Sequence, residues 1–170
     1  MPDVFLRLDV RLAEDWWAKE NRSYFFWEFG GPPDVVIEIV SNKEGGEDTR
    51  KLREYARIKV QYYVIYDPER LLSQQTLRVY ELRGRAYQPV DPIWLPDAEL
   101  GLTLWQGIFE DGTGEWLRWL DRAGNLIPTG AERAGQERAR AEQAESRAAE
   151  AESRAERLAA RLRELGLTAE

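Results

Sequence analysis

The sequence has no cysteine and no histidine, and it contains a single methionine. The missing cysteines exclude disulfides, thiolate nucleophiles and zinc sites built from thiolates. The missing histidines exclude the commonest general base and the commonest ligand of transition metals. Any metal that this chain binds must therefore be held by oxygen, which favours a hard cation such as Mg²⁺ or Mn²⁺.

Long apolar stretches are also missing. The chain has no run of about 18 apolar residues, and no basic N-terminal segment is followed by the apolar region of a signal peptide. We therefore expect a soluble, cytoplasmic protein with no membrane segment. Its 170 residues carry a formal net charge of −7, which argues against a generally basic surface for nucleic acid. At this length, one compact domain with an extension is expected.

Residues 1–130 contain the aromatic and β-branched residues of a core, and their pattern is typical of an α+β (mixed α/β) sheet domain. Three- and four-residue spacing predicts a helix at Asp48–Lys59 with Asp48 as its cap. A weaker helical pattern covers Leu12–Asn21, and the aromatic stretch Ser23–Phe29 has strand character. Short apolar runs bounded by turn residues predict the strands: Val4–Val10, Val35–Val40, Val60–Tyr66, Thr76–Leu82, Ala86–Val90, Ile93–Trp105 and Glu115–Leu120.

Residues 131–170 predict a separate helical tail, because they are rich in Ala, Glu and Arg and contain no aromatic residue. Small and apolar residues alternate there at three- and four-residue steps, the a/d register of a coiled coil: Ala141, Ala144, Ala148, Ala151, Ala155, Leu158, Leu162 and Leu165. An alanine seam buries little area, so the three leucines would supply most of the association of a homo-oligomer. A solvated single helix held by Glu and Arg pairs is the alternative.

The most informative residue for chemistry is Glu38, a carboxylate inside the apolar run Val35–Val40. Burying an unpaired carboxylate costs about several kcal/mol, so Glu38 needs a metal, a cation or a hydrogen-bond network. Asp34 lies about 13 Å away along a strand and is assigned to the preceding turn. Asp3 is the better partner, since antiparallel pairing would bring the start of the first strand to Glu38. The alternative is a Glu38 paired with a basic residue for packing alone.

Lys51 lies in the first turns of the helix that is predicted after this strand. A lysine on a helix surface is usually only solvated. Metal-dependent hydrolysis of phosphodiesters, however, needs a cation beside the attacking water or the developing negative charge. Both interpretations of Lys51 stay open at this point.

Three segments carry a resemblance to a known family: residues 32–41 (PPDVVIEIVS), 48–56 (DTRKLREYA) and 60–68 (VQYYVIYDP). They are similar to the Uma-two (Uma2) family of restriction-endonuclease-like proteins, within the PD-(D/E)XK nuclease superfamily. The opening residues 2–5 and the aromatic residues 23–28 also resemble family members. The likeness covers residues 1–130 and implies a restriction-endonuclease-like core sheet with flanking helices, followed by the helical tail.

The resemblance implies a metal-dependent endonuclease that hydrolyses phosphodiester bonds of DNA. Carried over by position, it implies Asp3 and Glu38 as ligands of Mg²⁺ (or Mn²⁺) and Lys51 as the residue that orients or activates water. The superfamily pattern Glu-x-Lys would place a lysine at position 40, which is Val40 here. In this family the lysine comes from the following helix instead.

Family members usually carry further residues before the Pro-Asp strand, so we expect this chain to be short at its N-terminus. A catalytically inactive nuclease fold that acts as a binding or oligomerisation module through its tail is therefore the alternative function. A different metal-dependent hydrolase on the same scaffold is a third hypothesis, because a fold does not fix its substrate.

Overall fold

The computed structural model of the protein describes residues 2–10, 30–91 and 94–165. The patterns predicted at Leu12–Asn21 and Ser23–Phe29 lie outside these residues. The chain divides into two compact units, Met1–Ile127 and Pro128–Glu170. Within the described ranges, no helix has both the length and the apolar character that crossing a bilayer requires.

The first unit contains a five-stranded sheet in which the strands follow one another in sequence order. Strands β2 and β3 run parallel, and every other neighbouring pair in this sheet is antiparallel. A helical segment connects the parallel pair, as such a crossover requires. The strands of this sheet are β1 (Val4–Leu6), β2 (Val35–Ile39), β3 (Tyr62–Tyr66), β4 (Leu77–Arg83) and β5 (Ala86–Val90).

The predicted strands are confirmed, but several are shorter than the sequence pattern. β1 ends at Leu6 instead of Val10, because the chain turns back and Asp9 adopts a φ of 55°. The β4–β5 hairpin turns at Gly84 and Arg85, and Gly84 has a φ of 68° that favours glycine.

The prediction of one strand at Ile93–Trp105 is wrong in its first half. Pro96–Ala98 forms a 3₁₀ turn, and the strand β6 begins only at Gly101 and runs to Phe109. β6 pairs with β7 (Gly112–Leu120) in a separate two-stranded sheet. A proline at the first position of the turn removes a backbone donor and holds φ near its helical value, which explains why extended pairing starts later.

The connection between β2 and β3 is a π-helical turn (Glu47–Lys51) followed by the short helix α1 (Leu52–Arg57). The prediction that Asp48 caps this helix is wrong. The helical segment starts behind Gly46, whose φ is 70°, and Lys51 N donates to Gly46 O at 2.9 Å. Because glycine adopts this left-handed conformation without strain, the chain enters the turn before Asp48 is reached.

The alternating residues of β2 face two different cores. Val35 and Ile37 join one core together with Tyr62, Val64, Tyr66 and Leu102. Val36 and Val40 join the other, which Leu52 and Tyr55 of the helical segment cover. Since side chains alternate along a strand, Glu38 points to the same side as Val36 and Val40. The strand therefore directs this carboxylate towards the helical segment.

The second unit contains the helix α2 (Gly130–Glu164), so the predicted helical tail is confirmed. A capping box starts it: Glu132 N donates to Thr129 Oγ1 at 3.2 Å, and Thr129 N donates to Glu132 Oε2 at 2.7 Å. None of its described residues is buried. Its ion pairs are exposed, as between Arg140 and Glu137, and such pairs stabilise a helix by only about 0.3–0.5 kcal/mol.

Asp67 ends β3 with a buried carboxylate that organises the next loop. It accepts hydrogen bonds from the backbone N–H groups of Leu71 and Leu72, at 2.8 Å each, and of Ser73 at 3.4 Å. Burial alone would raise the pKa of Asp67. The three backbone donors and the charge of Arg78 outweigh burial and lower it.

Replacing Asp67 by Asn should lower the free energy of unfolding by about 1–3 kcal/mol at neutral pH, because the amide offers one acceptor oxygen instead of two. The folded-state pKa of Asp67 lies below its ordinary value of 3.8. The carboxylate therefore contributes stability above that ordinary value, and the contribution is lost as the pH falls through the folded-state pKa. Urea denaturation at neutral pH and at about pH 3 measures the difference between the two proteins.

That difference should shrink at the lower pH. Glu69→Gln, at an exposed neighbouring position, serves as the control and should change the stability little. A difference of equal size at both pH values would contradict the assignment of this stability to the Asp67 charge.

Candidate active site

Glu38 is fully buried, and both of its carboxylate oxygens accept hydrogen bonds. Lys51 Nζ donates to Oε2 at 2.9 Å, and the Tyr55 hydroxyl donates to Oε1 at 2.5 Å. Both donors come from the helical segment that covers this face of the sheet. A cation and a phenol thus compensate the buried charge, as the sequence required.

Lys51 is held by two carboxylates. Its Nζ lies 2.9 Å from Glu38 Oε2 and 2.9 Å from Glu47 Oε1. Burial alone would lower the pKa of Lys51, but the hydrogen bonds and the charges of Glu47 and Glu38 outweigh burial and raise it. Lys51 therefore remains an ammonium at neutral pH. An ammonium has no lone pair, so Lys51 can supply positive charge but cannot accept a proton.

Two tyrosines attach the helical segment to the sheet. Burial, and then the hydrogen bond and charge of Glu38, raise the pKa of Tyr55, which keeps its phenol protonated as a donor. The Tyr63 hydroxyl donates to the backbone carbonyl of Glu47 at 2.8 Å. The rings of Tyr55 and Tyr63 pack with their centroids 5.1 Å apart.

Asp3 lies at the edge of this network. In the antiparallel register Val4 pairs with Ile37, so the next position along each strand places Asp3 opposite Glu38. Asp3 Oδ2 accepts a hydrogen bond from Ile39 N at 2.8 Å, and the residue is exposed. Its charge also contributes to the raised pKa of Tyr55. The structure thus brings together Asp3, Glu38 and Lys51, the three residues that the sequence singled out.

Asp34 lies outside this group. Its carboxylate pairs with Arg7 Nη1 at 2.9 Å and accepts a hydrogen bond from Leu8 N at 2.7 Å. These contacts hold the end of β1 against the start of β2. Asp34 therefore orders the turn before its strand. Val40, where the superfamily has its lysine, is buried among apolar residues.

The donor set suits a hard cation that keeps most of its water ligands. Among the described residues, no group of three or more Asp, Glu, His or Cys side chains is placed to hold a metal ion. Mg²⁺, however, is commonly bound through only one or two carboxylates. Asp3 Oδ1 has no hydrogen-bond partner within the described part of the chain, and Glu47 Oε2 is buried without one. These carboxylates outnumber the single ammonium of Lys51, so the local charge favours a cation.

Sequence reasoning missed Glu47 and Tyr55. They lie four residues before and four residues after Lys51, the spacing that brings side chains together on one helical face. That spacing was visible in the sequence. The spacing indicates a shared network only when it is combined with the prediction that Glu38 is buried and needs partners.

Comparisons with known proteins identify one family. The model of the Uma2 family, described as "Putative restriction endonuclease", matches residues 1–106. The match includes every residue of the network around Glu38 and leaves α2 outside. No curated protein and no solved structure matches the chain.

Replacing Tyr55 by Phe should lower the free energy of unfolding by about 1–3 kcal/mol, because Glu38 Oε1 loses its donor while the ring keeps its packing. Thermal or urea denaturation measures the change. Tyr80→Phe is the matched control, since the Tyr80 ring packs against Tyr63 and its hydroxyl bonds to no described residue. Equal losses in the two variants would show that the hydrogen bond to Glu38 contributes nothing specific.

Proposed function

Because the chain belongs to the Uma2 family of restriction-endonuclease-like proteins, we propose that it is an endonuclease that hydrolyses phosphodiester bonds of DNA with Mg²⁺ or Mn²⁺. Membership of the family supports the nuclease activity. The observation that supports this site is the buried Glu38, held between Lys51 and Tyr55 beside the exposed Asp3.

In this proposal Asp3 and Glu38 would hold the cation through carboxylate oxygens. When bound, such an ion polarises the phosphoryl group and lowers the pKa of a coordinated water. Lys51 contributes a fixed positive charge for the negative charge that develops on the phosphate. Its ion pairs with Glu38 and Glu47 hold that charge in place before substrate binds. Tyr55 orients Glu38 and stays protonated, so it is not the base.

A catalytically inactive fold is the second candidate, and one observation favours it. Both oxygens of Glu38 already bond to side chains of the protein, so the network also serves as a packing device without any metal. The tail would then be the working surface of a binding or oligomerisation module. Cleavage assays separate the two candidates.

Asp3→Asn should reduce metal-dependent cleavage of plasmid and single-stranded DNA by about a hundredfold or more, since the lost charge weakens metal binding. The substitution keeps an oxygen that can accept the hydrogen bond of Ile39 N. Glu38→Gln and Lys51→Ala should reduce the cleavage rate by at least as much as Asp3→Asn does. Gel assays with Mg²⁺, with Mn²⁺ and with a chelator measure the activity, and thermal denaturation confirms that each variant is folded.

Glu54→Gln is the matched control. Glu54 is exposed on α1 and its carboxylate pairs with Arg50, so cleavage should be unchanged. Cleavage by the Asp3, Glu38 and Lys51 variants at the rate of the wild type would refute this site. A folded wild type that cuts neither DNA with either metal would favour the inactive candidate.

We also propose that α2 associates with α2 of a second copy of the chain. Three apolar side chains of the a/d register remain exposed near its end: Leu158 (59%), Leu162 (42%) and Leu165 (62%). Apolar side chains repeated at this spacing bury their surface when two such helices supercoil.

Changing Leu158 and Leu162 to Gln should weaken self-association by about tenfold or more, because burying each leucine contributes about 1.5–3 kcal/mol. Sedimentation velocity over a concentration series measures the equilibrium. Ala149→Gln with Ala160→Gln, both outside the a/d register, is the control and should associate as the wild type does. A wild type that sediments as a monomer throughout would refute the coiled coil.

A further inference from the structure

A groove of about 630 Å³ lies between α1 and β5, on a different side of the helical segment from Glu38. Four exposed cationic residues line it: Arg53, Arg57, Lys59 and Arg85. Within the described residues, no acidic side chain lines this groove. In a chain with a net charge of −7, the groove is a local reversal of sign.

Within the described ranges, the cationic groups of the groove do not pair with carboxylates. Arg53, Arg57 and Arg85 make no side-chain hydrogen bond or ion pair with any described residue. Lys59 Nζ donates to the carbonyl of Gly84 at 3.1 Å, and no carboxylate in the described part of the chain pairs with it. By contrast, Arg50 on the same helical segment pairs with Glu54.

Positive charges along the walls of a concave surface reinforce one another. A cleft of one sign with low-dielectric walls focuses the field and raises the local concentration of an oppositely charged ligand. The groove is therefore suited to a polyanion rather than to a single small anion, because its charges are distributed over two elements.

The floor of the groove is apolar and firmly held. Leu52, Ala56 and Tyr87 form it. The Tyr87 hydroxyl donates to Val60 O at 2.8 Å, and the Tyr87 ring packs against Tyr63 at a centroid distance of 5.7 Å. A polynucleotide presents both charged phosphates and apolar sugar and base surfaces, which match the rim and the floor respectively.

The groove and the candidate active site share one helical segment. Arg53 and Arg57 follow Lys51 by two and six residues, or roughly 3 and 9 Å along a helix axis. Phosphates in a strand are spaced about 3.4 Å apart along a duplex axis. Along the axis of this segment, Lys51 and the two arginines are therefore separated by no more than about the span of three nucleotides, although they lie on different sides of it.

We infer that this groove binds the phosphate backbone of DNA, on a side of the helical segment that the Glu38 network does not occupy. The inference rests on the proposed function for the identity of its ligand. It adds a binding surface formed by Arg53, Arg57, Lys59 and Arg85, none of which belongs to the network around Glu38.

The test removes three charges together, with Arg53→Gln, Arg57→Gln and Arg85→Gln in the full-length chain. Fluorescence anisotropy with labelled single-stranded and duplex DNA, in chelator and over a series of salt concentrations, measures binding without cleavage. The affinity should fall by about tenfold or more. The plot of log affinity against log salt should become less steep, its negative slope shrinking in magnitude by about two to three. Arg138→Gln, Arg147→Gln and Arg154→Gln on α2 are the matched control and should bind as the wild type does.

Unchanged binding by the groove variant, or equal losses in both triple variants, would overturn the inference. So would displacement of DNA by polyglutamate at the same charge concentration, which would assign the groove to acidic polypeptides. If the triple variant does not fold, the single variant Arg57→Gln replaces it. The slope of log affinity against log salt should then shrink in magnitude by about one.

The same titration separates this inference from the proposed nuclease activity. Binding by the wild type that depends on the groove, without any cleavage, would support the groove and refute the nuclease.

Discussion

The buried carboxylate of Glu38 is the constraint on which the rest of the first unit depends. It lies in the sheet face that the helical segment covers, where an uncompensated charge would cost about several kcal/mol. Lys51 and Tyr55 supply the compensation, and Glu47 shares the ammonium of Lys51. The position of the helical segment on the parallel pair β2–β3 is therefore tied to one acidic residue.

The short helical segment serves two surfaces of opposite charge. Its side towards the sheet contacts a group in which carboxylates outnumber the ammonium, where we propose the cation site. On its other side, Arg53 and Arg57 line a groove in which no described residue is acidic. In the proposals made above, an acidic chain presents one surface to a metal ion and another to a polyanion. Net charge alone argued against nucleic acid, but the distribution of charge decides which ligands a surface attracts.

Much of the fold could be predicted because local patterns were strong. Pro33 precedes the apolar run that forms β2, and Asp67 follows the run that forms β3. The composition of the chain changes near Thr129, where the capping box starts the tail helix. Predictions failed where backbone conformation departs from these patterns. Gly46 starts the helical segment before Asp48, and the turn at Pro96–Ala98 delays β6. Both are positions where glycine or proline overrides the side-chain pattern.

The sequence by itself determined that any metal must be bound by oxygen, that Glu38 needs a compensating partner, and that the tail is a helix. These conclusions follow from residue types and from spacing within one element. Only the tertiary structure decided that Asp3 lies opposite Glu38, that Glu47 and Tyr55 join Lys51 around it, and that Arg85 meets the arginines of α1. Such contacts depend on strand order, register and the packing of a helix on a sheet. Residues far apart in sequence acquire them only when the burial of apolar surface selects one arrangement of the whole chain.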